Sequence, residues 1–557
     1  MPICYSDTNH MIAVFGDSPI KKYRPIISKE LISKFGKGPF SAAQVTNALF
    51  FAFDWYSKQF LDILNRENQL AFYQGIFLLH EDSCEFRKNT PNISPHPEFS
   101  DIDFALYRRV LKLSLEQACD IPLKGNHIFS PEYFKRKERI IEELLYLGCY
   151  IYDLSNILAS QHMVEDCIDL KYTENNLFYF DNKHHYGFIL DKLLISINEH
   201  RKKVLECENN YSDILQAFDK CLGVNINQLR ETIRLIHDNF RDCGGKIVLD
   251  EWIIYPKNLE NLFGIPYEKG EIFIKGLTLS KENKMPLKES VYRPQNLNRY
   301  LYRPFLIWNV DGKDLTIIGN EIFDESILAL LSNNLSWNKY PIEWENDCFK
   351  SIIQQLSNQN DKILENKVEK LLKENAIIYD RNITHFLKWN NQNEDIETGD
   401  CGELDFIFLY DNHVFIADCK HQTARFDMNN FKNDYSSFET GKKAYNKTLT
   451  RKLLYLKTKI SSIEEHFQVL LENRALKITA TSLTGIFIVK TPTFIMFNNE
   501  YRIYPILDFE EFVTGKFIDK KFTLFINEED QSKLISIEYP YFKKPNYSVF
   551  DLDIEED

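Results

Sequence analysis

The sequence lacks the short motifs that mark several common enzyme classes. It has no G-x-x-x-x-G-K-[ST] loop, because Gly36-Lys37-Gly38 has neither the upstream glycine spacing nor the hydroxyl residue of a phosphate-binding loop. It also has no G-x-S-x-G, no H-E-x-x-H and no dinucleotide-binding glycine pattern. We therefore expect ATP-driven activity only with a partner subunit, and the commonest hydrolase and oxidoreductase classes are not indicated.

The eleven cysteines form no recognisable ligand or disulfide pattern. No C-x-x-C pair occurs, and no Cys/His cluster has the spacing of a zinc site. No apolar run reaches the roughly 20 residues of a membrane-spanning helix, and the first residues lack the charged and apolar regions of a signal peptide. The sequence therefore favours a cytoplasmic protein in a reducing compartment, without a membrane partner.

The chain is acidic as a whole, with a formal net charge of −14 over 557 residues. That balance argues against indiscriminate binding to nucleic acids. Apolar residues make up 44% of the chain and aromatic residues 14%, which is enough to build sizeable hydrophobic cores. The length suggests about three domains. We expect an ordered multidomain protein of the α+β or α/β class.

The first part of the chain, residues 1–242, is predicted to be mostly helical. Ser41 has the side chain of a helix cap, and Ser130-Pro131 combines a cap with a first-turn proline. We expect this helical region to serve recognition, regulation or assembly. A small β-containing region is predicted to follow it over residues 243–340.

Two kinds of pattern indicate strands in the β-containing region. Residues 247–255 and 271–275 are short apolar runs that are expected to be strands. Residues 304–318 are expected to form a hairpin with its turn at Asp311-Gly312, which is a strong short-range turn signal. This region would link the helical part to the remainder of the chain.

The most informative segment is the pair of apolar runs at residues 404–410 and 413–417. The Asp411-Asn412 pair between them favours a tight two-residue turn, so the runs are predicted to form an antiparallel hairpin. In that hairpin Asp405 lies opposite Asp418, and such cross-strand neighbours have their β-carbons about 5 Å apart on one face. Lys420 follows two residues later, so it returns to the same face.

Two close carboxylates repel each other unless a proton, a hydrogen-bond donor or a cation lies between them. Mg²⁺ binds carboxylate oxygens, keeps several waters and bridges to phosphate oxygens. A neighbouring lysine could stabilise charge on a phosphate or orient and deprotonate an attacking water. Asp405, Asp418 and Lys420 therefore predict a metal-dependent phosphodiesterase site, with Cys419 on the opposite face as a small core residue.

The segments Gly402-Glu-Leu-Asp405 and Asp418-Cys-Lys420 resemble the first acidic strand and the (D/E)xK sequence of the PD-(D/E)xK, or restriction-endonuclease-like, nucleases. Leu404 stands where the family name has proline, and Asp418 stands where glutamate is commoner. The resemblance implies a C-terminal restriction-endonuclease-like α/β core over residues 341–500. The rest of the chain resembles no family that we recognise.

The segments on either side of the predicted hairpin fit the same family. Residues 364–372 resemble its first core helix, which often carries a further acidic residue. The resemblance implies that Glu365 has this catalytic and metal-binding role, with Glu369 as the reserve. Downstream, a long helical stretch over about 438–471 and an apolar run at 485–489 complete the helix, strands, helix, strand order of the core.

A basic segment follows the predicted site. Residues 420–459 contain ten Lys or Arg and three Asp or Glu, a local balance of +7. Such a segment could hold a phosphate backbone, although a solvated helix face is the alternative. The residues predicted to bind nucleic acid are Lys442, Lys443, Lys447, Arg451 and Lys452.

These features together predict a Mg²⁺-dependent nuclease, with Mn²⁺ as a possible substitute, that acts on DNA more readily than on RNA. The resemblance implies a setting of restriction, phage defence or DNA repair. The alternatives are a catalytically silent nucleic-acid-binding or assembly subunit and an RNase-type effector. Partners could include a second copy of the chain or a separate ATPase or sensor subunit. Residues 501–557 are predicted to be an extension with an acidic tail.

Overall fold

The computed structural model divides the chain into two compact units. The first contains Met1–Gln161, Ile168–Asp181 and Asn210–Ser357, and the second contains His162–Cys167, Asn182–Asn209 and Asn358–Asp557. The boundaries of these units differ from those of the four predicted regions, and the four-region division stays a prediction. The residues that the structure describes are 3–5, 11–13, 16–89, 101–126, 130–183, 186–187, 190, 194–195, 197, 211–241, 248–396, 401–422, 425, 427–478, 483–528, 531–542 and 548–551. The predicted boundary at 242–243 and the end of the acidic tail lie outside them.

Helices form most of the first unit. They are α1 (Asp17–Phe35), α2 (Ala42–Arg66), α3 (Leu70–Asn89), α4 (Asp101–Ala118), α5 (Pro131–Arg136), α6 (Glu138–Met163), α7 (Ser212–Ala217), a π-helix (Phe218–Leu222), α8 (Ile226–Arg241), α9 (Ile254–Phe263), α10 (Tyr267–Gly276), α11 (Leu287–Tyr292), α12 (Asn320–Asn333) and two 3₁₀ turns (Leu335–Trp337 and Ile342–Trp344). The last helix, α13 (Asp347–Glu374), continues past the division at residue 357. The predicted helical character of the N-terminal region is confirmed.

Local capping explains where two of these helices begin. The Ser41 hydroxyl accepts from the Gln44 amide while the Gln44 side chain accepts from the Ser41 amide, which is a complete capping box. Ser130 caps α5 in the same way by accepting from the amide of Tyr133. The two predicted helix starts are therefore confirmed, although the helix that begins at Pro131 ends at Arg136 and α6 begins anew at Glu138.

The strands of the first unit are short. They are β1 (Ile3–Tyr5), β2 (Met11–Ala13), β3 (Ile168–Tyr172), β4 (Phe178–Asn182), β5 (Leu249–Asp250), β6 (Thr278–Leu279), β7 (Phe305–Val310) and β8 (Lys313–Ile317). β1 pairs with β2 and β3 pairs with β4, whereas the other four form a sheet in the order β5-β8-β7-β6. The β7–β8 hairpin turns at Asp311 and Gly312, both with positive φ, so the predicted hairpin is confirmed.

One predicted strand in this region is wrong, and another is shorter than predicted. Residues 271–275 lie within α10, because Gly270, Phe273 and Ile274 are buried at helical spacing and a five-residue apolar run cannot distinguish helix from strand. Of residues 247–255, the two residues of β5 pair as a strand, and Ile254 already begins α9. In addition, Cys221 and Cys348 form a disulfide, which the scattered cysteine spacing did not indicate.

The second unit contains a mixed five-stranded sheet. Its strands are β9 (Ile378–Ile383), β12 (Leu404–Tyr410), β13 (His413–Lys420), β14 (Leu483–Val489) and β15 (Arg502–Pro505), in the order β15-β14-β13-β12-β9. β12 is antiparallel to both of its neighbours, β9 and β13, whereas β13, β14 and β15 run parallel to one another. β10 (His385–Phe386) and β11 (Glu394–Asp395) form a small separate ladder.

Helices cover both faces of this sheet. Leu364, Val368 and Leu372 of α13 pack on Phe406 and Phe408 of the sheet, together with α17 (Ile506–Val513). The opposite face, which includes Ile407 and Ile416, packs against α15 (Tyr445–Lys457) and α16 (Ile460–Leu470), and α14 (Met428–Tyr435) lies before them in the chain. Side chains along β12 alternate between the two faces, so Phe406 and Phe408 enter one hydrophobic core and Ile407 enters the other.

The stretch over about 438–471 is mostly helical, as predicted, but the chain breaks twice within it. A π-helix (Ser436–Thr440) ends at Gly441, and the extended backbone at Gly441 and Ala444 separates it from α15. A second break follows Lys457, before α16 begins. Each short helix can then turn its own apolar stripe towards the sheet.

The chain continues through a 3₁₀ turn (Phe494–Phe497) and α17 to an antiparallel ladder of β16 (Phe522–Glu528), β17 (Gln531–Ile537) and β18 (Ser548–Asp551). Within the described ranges, no helix is both long and apolar enough to cross a membrane.

Candidate active site

The β12–β13 hairpin has the predicted register. Its two turn residues, Asp411 and Asn412, have φ values of 49° and 63°, as a two-residue hairpin turn of this type requires. Backbone pairing runs from Tyr410 opposite His413 to Phe406 opposite Ala417. The next residues outward are Asp405 and Asp418. The structure therefore brings the two predicted carboxylates together at the end of the hairpin.

The side chain of Asp405 makes the hydrogen bond that follows the last backbone pair between β12 and β13. Backbone pairing between β12 and β13 stops at Phe406, and Asp405 Oδ2 accepts a hydrogen bond of 2.7 Å from the amide of Cys419. None of the residues that the structure describes donates a hydrogen bond to the other carboxylate oxygen, Oδ1. Asp405 is half-buried, so this oxygen is the natural point of attachment for a ligand.

Two lysines hold the second carboxylate. Lys420 Nζ lies 3.3 Å from Asp418 Oδ2, as the alternation along β13 predicted. Lys452 Nζ, from α15, lies 2.8 Å from Asp418 Oδ1 and also donates to the carbonyl oxygen of Glu403 at 2.8 Å. Asp418 is only 1% exposed and Lys452 6%, so this ion pair is shielded from water. The ammonium of Lys420 also lies 5.2 Å from the ring centre of Tyr445.

The pKa values at the site are shifted by burial and by these charges. Burial, followed by the charge of Asp418, raises the pKa of Asp405 to about 6. Burial alone would raise the pKa of Asp418, but the ammonium groups of Lys420 and Lys452 outweigh it and lower that pKa. Burial alone would lower the pKa of Lys420, but Asp418 and Asp405 outweigh it and raise that pKa. Asp418 is therefore ionised and Lys420 protonated near neutral pH.

Glu365 and Glu369 lie on α13 and share one partner. Glu365 Oε2 is 3.1 Å from a guanidinium nitrogen of Arg381, and Glu369 contacts the same guanidinium. The charge of Glu365 also acts on the Cys419 thiol, whose pKa is raised first by burial and then by Asp405 and Glu365. Glu365 therefore approaches the end of β13 from the face opposite Asp418, and the structure pairs it with Arg381.

The predicted nucleic-acid-binding residues separate into two groups. Lys442, Lys443, Lys447 and Arg451 are exposed; the first two precede α15, Lys447 lies in its first turn and Arg451 in its middle. Lys452 does not lie with them, because it follows Leu449 by three residues and precedes Leu456 by four, on the buried stripe of the helix. This spacing in the sequence was the signal that could have identified Lys452 as part of the site.

No family model matches the chain, and no curated protein or solved structure matches it. The chemistry of the site therefore rests on its own geometry. Asp405 offers a carboxylate oxygen, and burial followed by the charge of Asp418 raises its pKa. A hard divalent cation such as Mg²⁺ takes carboxylate oxygens and would favour the ionised form of Asp405. The donor set thus fits the metal that the sequence predicts.

Proposed function

We propose that this chain is a Mg²⁺-dependent nuclease of the PD-(D/E)xK type that hydrolyses phosphodiester bonds in DNA. The observation that carries the proposal is the pair of opposed carboxylates, Asp405 and Asp418, with Lys420 beside them at the end of one hairpin. The mixed sheet with helices on both faces supports it, since it follows the order of elements that the resemblance implies.

Asp405 and Asp418 would hold the cation. Glu365 would influence the site through its negative charge, from the opposite face of the sheet. Bound Mg²⁺ supplies positive charge at the phosphate oxygens and makes a water more acidic. Lys420 is protonated, so it acts as a donor that orients water or stabilises the negative charge developing on phosphorus oxygens. Its raised pKa argues against a role as the general base.

The exposed residues Lys442, Lys443, Lys447 and Arg451 would hold the phosphate backbone of the substrate. Contacts of this kind give affinity and orientation without selecting a sequence. These four residues would also form a positive surface on a chain whose total charge is −14. Nucleic acid would then bind at this surface and be repelled elsewhere. Lys452 would serve the site instead, by keeping Asp418 ionised and in place.

The test is cleavage of plasmid, linear duplex, single-stranded DNA and RNA by the full chain with Mg²⁺, Mn²⁺ or EDTA. Lys420→Ala should lose cleavage and remain folded, whereas the matched control Lys516→Ala, an exposed lysine elsewhere in the second unit, should keep it. Cleavage of DNA that requires metal and Lys420 supports the proposal. Full activity of Lys420→Ala would overturn the site assignment, and cleavage restricted to RNA would identify an RNase-type effector.

One observation favours a second candidate, a catalytically silent nucleic-acid-binding or assembly subunit. Lys420 and Lys452 already balance the two carboxylate charges, so the site needs no cation for neutrality. A silent subunit would bind DNA through the exposed basic residues and cleave none of the substrates under any metal condition. A separate ATPase or sensor subunit would then be the partner to seek, and a setting of restriction, phage defence or repair stays a prediction.

A further inference from the structure

A second group of metal-binding side chains lies in the first unit. His80 and Cys84 are four residues apart on α3, so they share one face of that helix, and Glu325 reaches them from α12. Their ligand atoms all lie within 4.8 Å of one another. Cys84 Sγ is 3.3 Å from Glu325 Oε2, and it is 3.8 and 3.9 Å from the two ring nitrogens of His80. We call these three residues the His–Cys–Glu cluster.

A buried tyrosine hydroxyl lies near the cluster. Tyr300 is fully buried, and its hydroxyl has no hydrogen-bond partner among the residues that the structure describes. Its ring centre lies 5.5 Å from that of His80, and the charges of Glu81, Cys84 and Glu325 act on its hydroxyl. A buried hydroxyl without a partner is costly. A metal-bound water would give the Tyr300 hydroxyl a hydrogen-bond partner.

We propose that the His–Cys–Glu cluster binds one borderline divalent transition-metal ion of the Zn²⁺ type. One imidazole, one thiolate and one carboxylate form a ligand set that suits Zn²⁺ and leaves a fourth position for water. Mg²⁺ avoids sulfur and nitrogen ligands, so this site is distinct in chemistry from the Asp405–Asp418 site. On binding, the Cys84 S–H bond breaks, the sulfur–metal bond forms, and the proton leaves to solvent.

Two cations beside the cluster set the conditions for binding. Arg108 donates to Cys84 Sγ at 3.1 Å and also contacts Glu325, and Lys112 Nζ is 3.4 Å from Glu325 Oε1. These charges oppose a further cation, although Arg108 would stabilise the thiolate once the proton has left. The ion would thus join α3 to α12, two helices far apart in sequence.

The test uses the metal-free full chain and titration with Co²⁺, followed by displacement with Zn²⁺. A thiolate–cobalt charge-transfer band should grow to one equivalent per chain and disappear when Zn²⁺ is added. The band should be lost completely in Cys84→Ser and unchanged in Cys119→Ser, another buried free cysteine of the same unit. It should also be unchanged in Asp418→Asn, so failure here is distinguishable from failure of the proposed nuclease.

A measurement on the wild-type chain covers the case in which Cys84→Ser does not fold. Zn²⁺ should slow alkylation of Cys84 at least tenfold under mildly denaturing conditions, with the modified peptide identified by mass spectrometry. Absence of a thiolate band in the wild type, persistence of the band in folded Cys84→Ser, or protection of another cysteine instead of Cys84 would each overturn the proposal.

Discussion

Replacement of Lys452 by methionine should destabilise the candidate active site through Asp418. The substitution keeps the length of the side chain but removes the ammonium that lies 2.8 Å from Asp418 Oδ1. Removing one partner of a buried ion pair costs about 3 to 5 kcal/mol. Lys420 remains 3.3 Å away from the carboxylate, so we expect the lower end of that range. A loss of about 3 kcal/mol corresponds to a roughly 100-fold change in an opening equilibrium.

Hydrogen exchange at the β13 amides measures that local loss, since a chain of two units need not unfold in one step. Exchange in Lys452→Met should be about 100-fold faster than in the wild type. Lys457→Met, an exposed lysine on the same helix, should change the opening free energy by no more than about 0.5 kcal/mol. In the Asp418→Asn background, most of the effect of Lys452→Met should disappear.

Two results would refute this reasoning. Unchanged exchange at β13 in Lys452→Met would mean that the ion pair does not stabilise the strand. An equal effect with and without Asp418→Asn would mean that Lys452 acts through another contact. If the proposed metal binds, Mg²⁺ should also slow exchange in Lys452→Met, because Asp418 then regains a positive neighbour, and EDTA should reverse the gain.

Three further predictions concern the surface, pH and redox state. Lys443→Glu combined with Lys447→Glu should weaken DNA binding for all sequences and flatten its salt dependence, measured by fluorescence anisotropy at several salt concentrations. Burial, aided by the charge of Glu511, raises the pKa of Asp508 from 3.8 to about 6 in the folded chain. Ionisation of Asp508 therefore destabilises the folded state increasingly from about pH 4 upwards and fully above about pH 6. Asp508→Asn should therefore stabilise the second unit by up to about 3 kcal/mol at pH 8 and leave it unchanged at pH 4 in urea unfolding. A reductant should destabilise the first unit by up to about 5 kcal/mol, because the Cys221–Cys348 disulfide spans 127 residues, and Cys348→Ser should abolish that response.

The hairpin turns could be predicted from sequence because their information is local. Asp311-Gly312 and Asp411-Asn412 are residue pairs that tolerate positive φ, and the flanking apolar runs need only continue the pairing that the turn begins. The opposition of Asp405 and Asp418 follows from that register. The composition of one short segment therefore determined the central geometry of the site.

The remaining features depend on distant parts of the chain, which local patterns do not encode. The partner of Glu365 is Arg381 of β9, and the partner of Lys452 is Asp418, a strand residue 34 positions earlier. The wrong strand at 271–275 has a similar origin, since its apolar residues pack on Trp344 from far along the chain. The cysteines of the disulfide and the His–Cys–Glu cluster likewise meet through tertiary packing.

The tight two-residue turn at Asp411 and Asn412 fixes which residues of β13 face the site, so an odd change in the length of the hairpin would move them to the other face of the sheet. Side chains alternate between the faces of a strand, so one residue inserted between the turn and Asp418 would reverse every assignment beyond it. Ala417 would then take the position of Asp418 opposite Lys452, and the carboxylate of Asp418 would be forced into the apolar core beneath α13. An insertion of two residues would preserve the face and displace the carboxylate along the strand. Length changes in this hairpin should therefore be tolerated, if at all, in even steps.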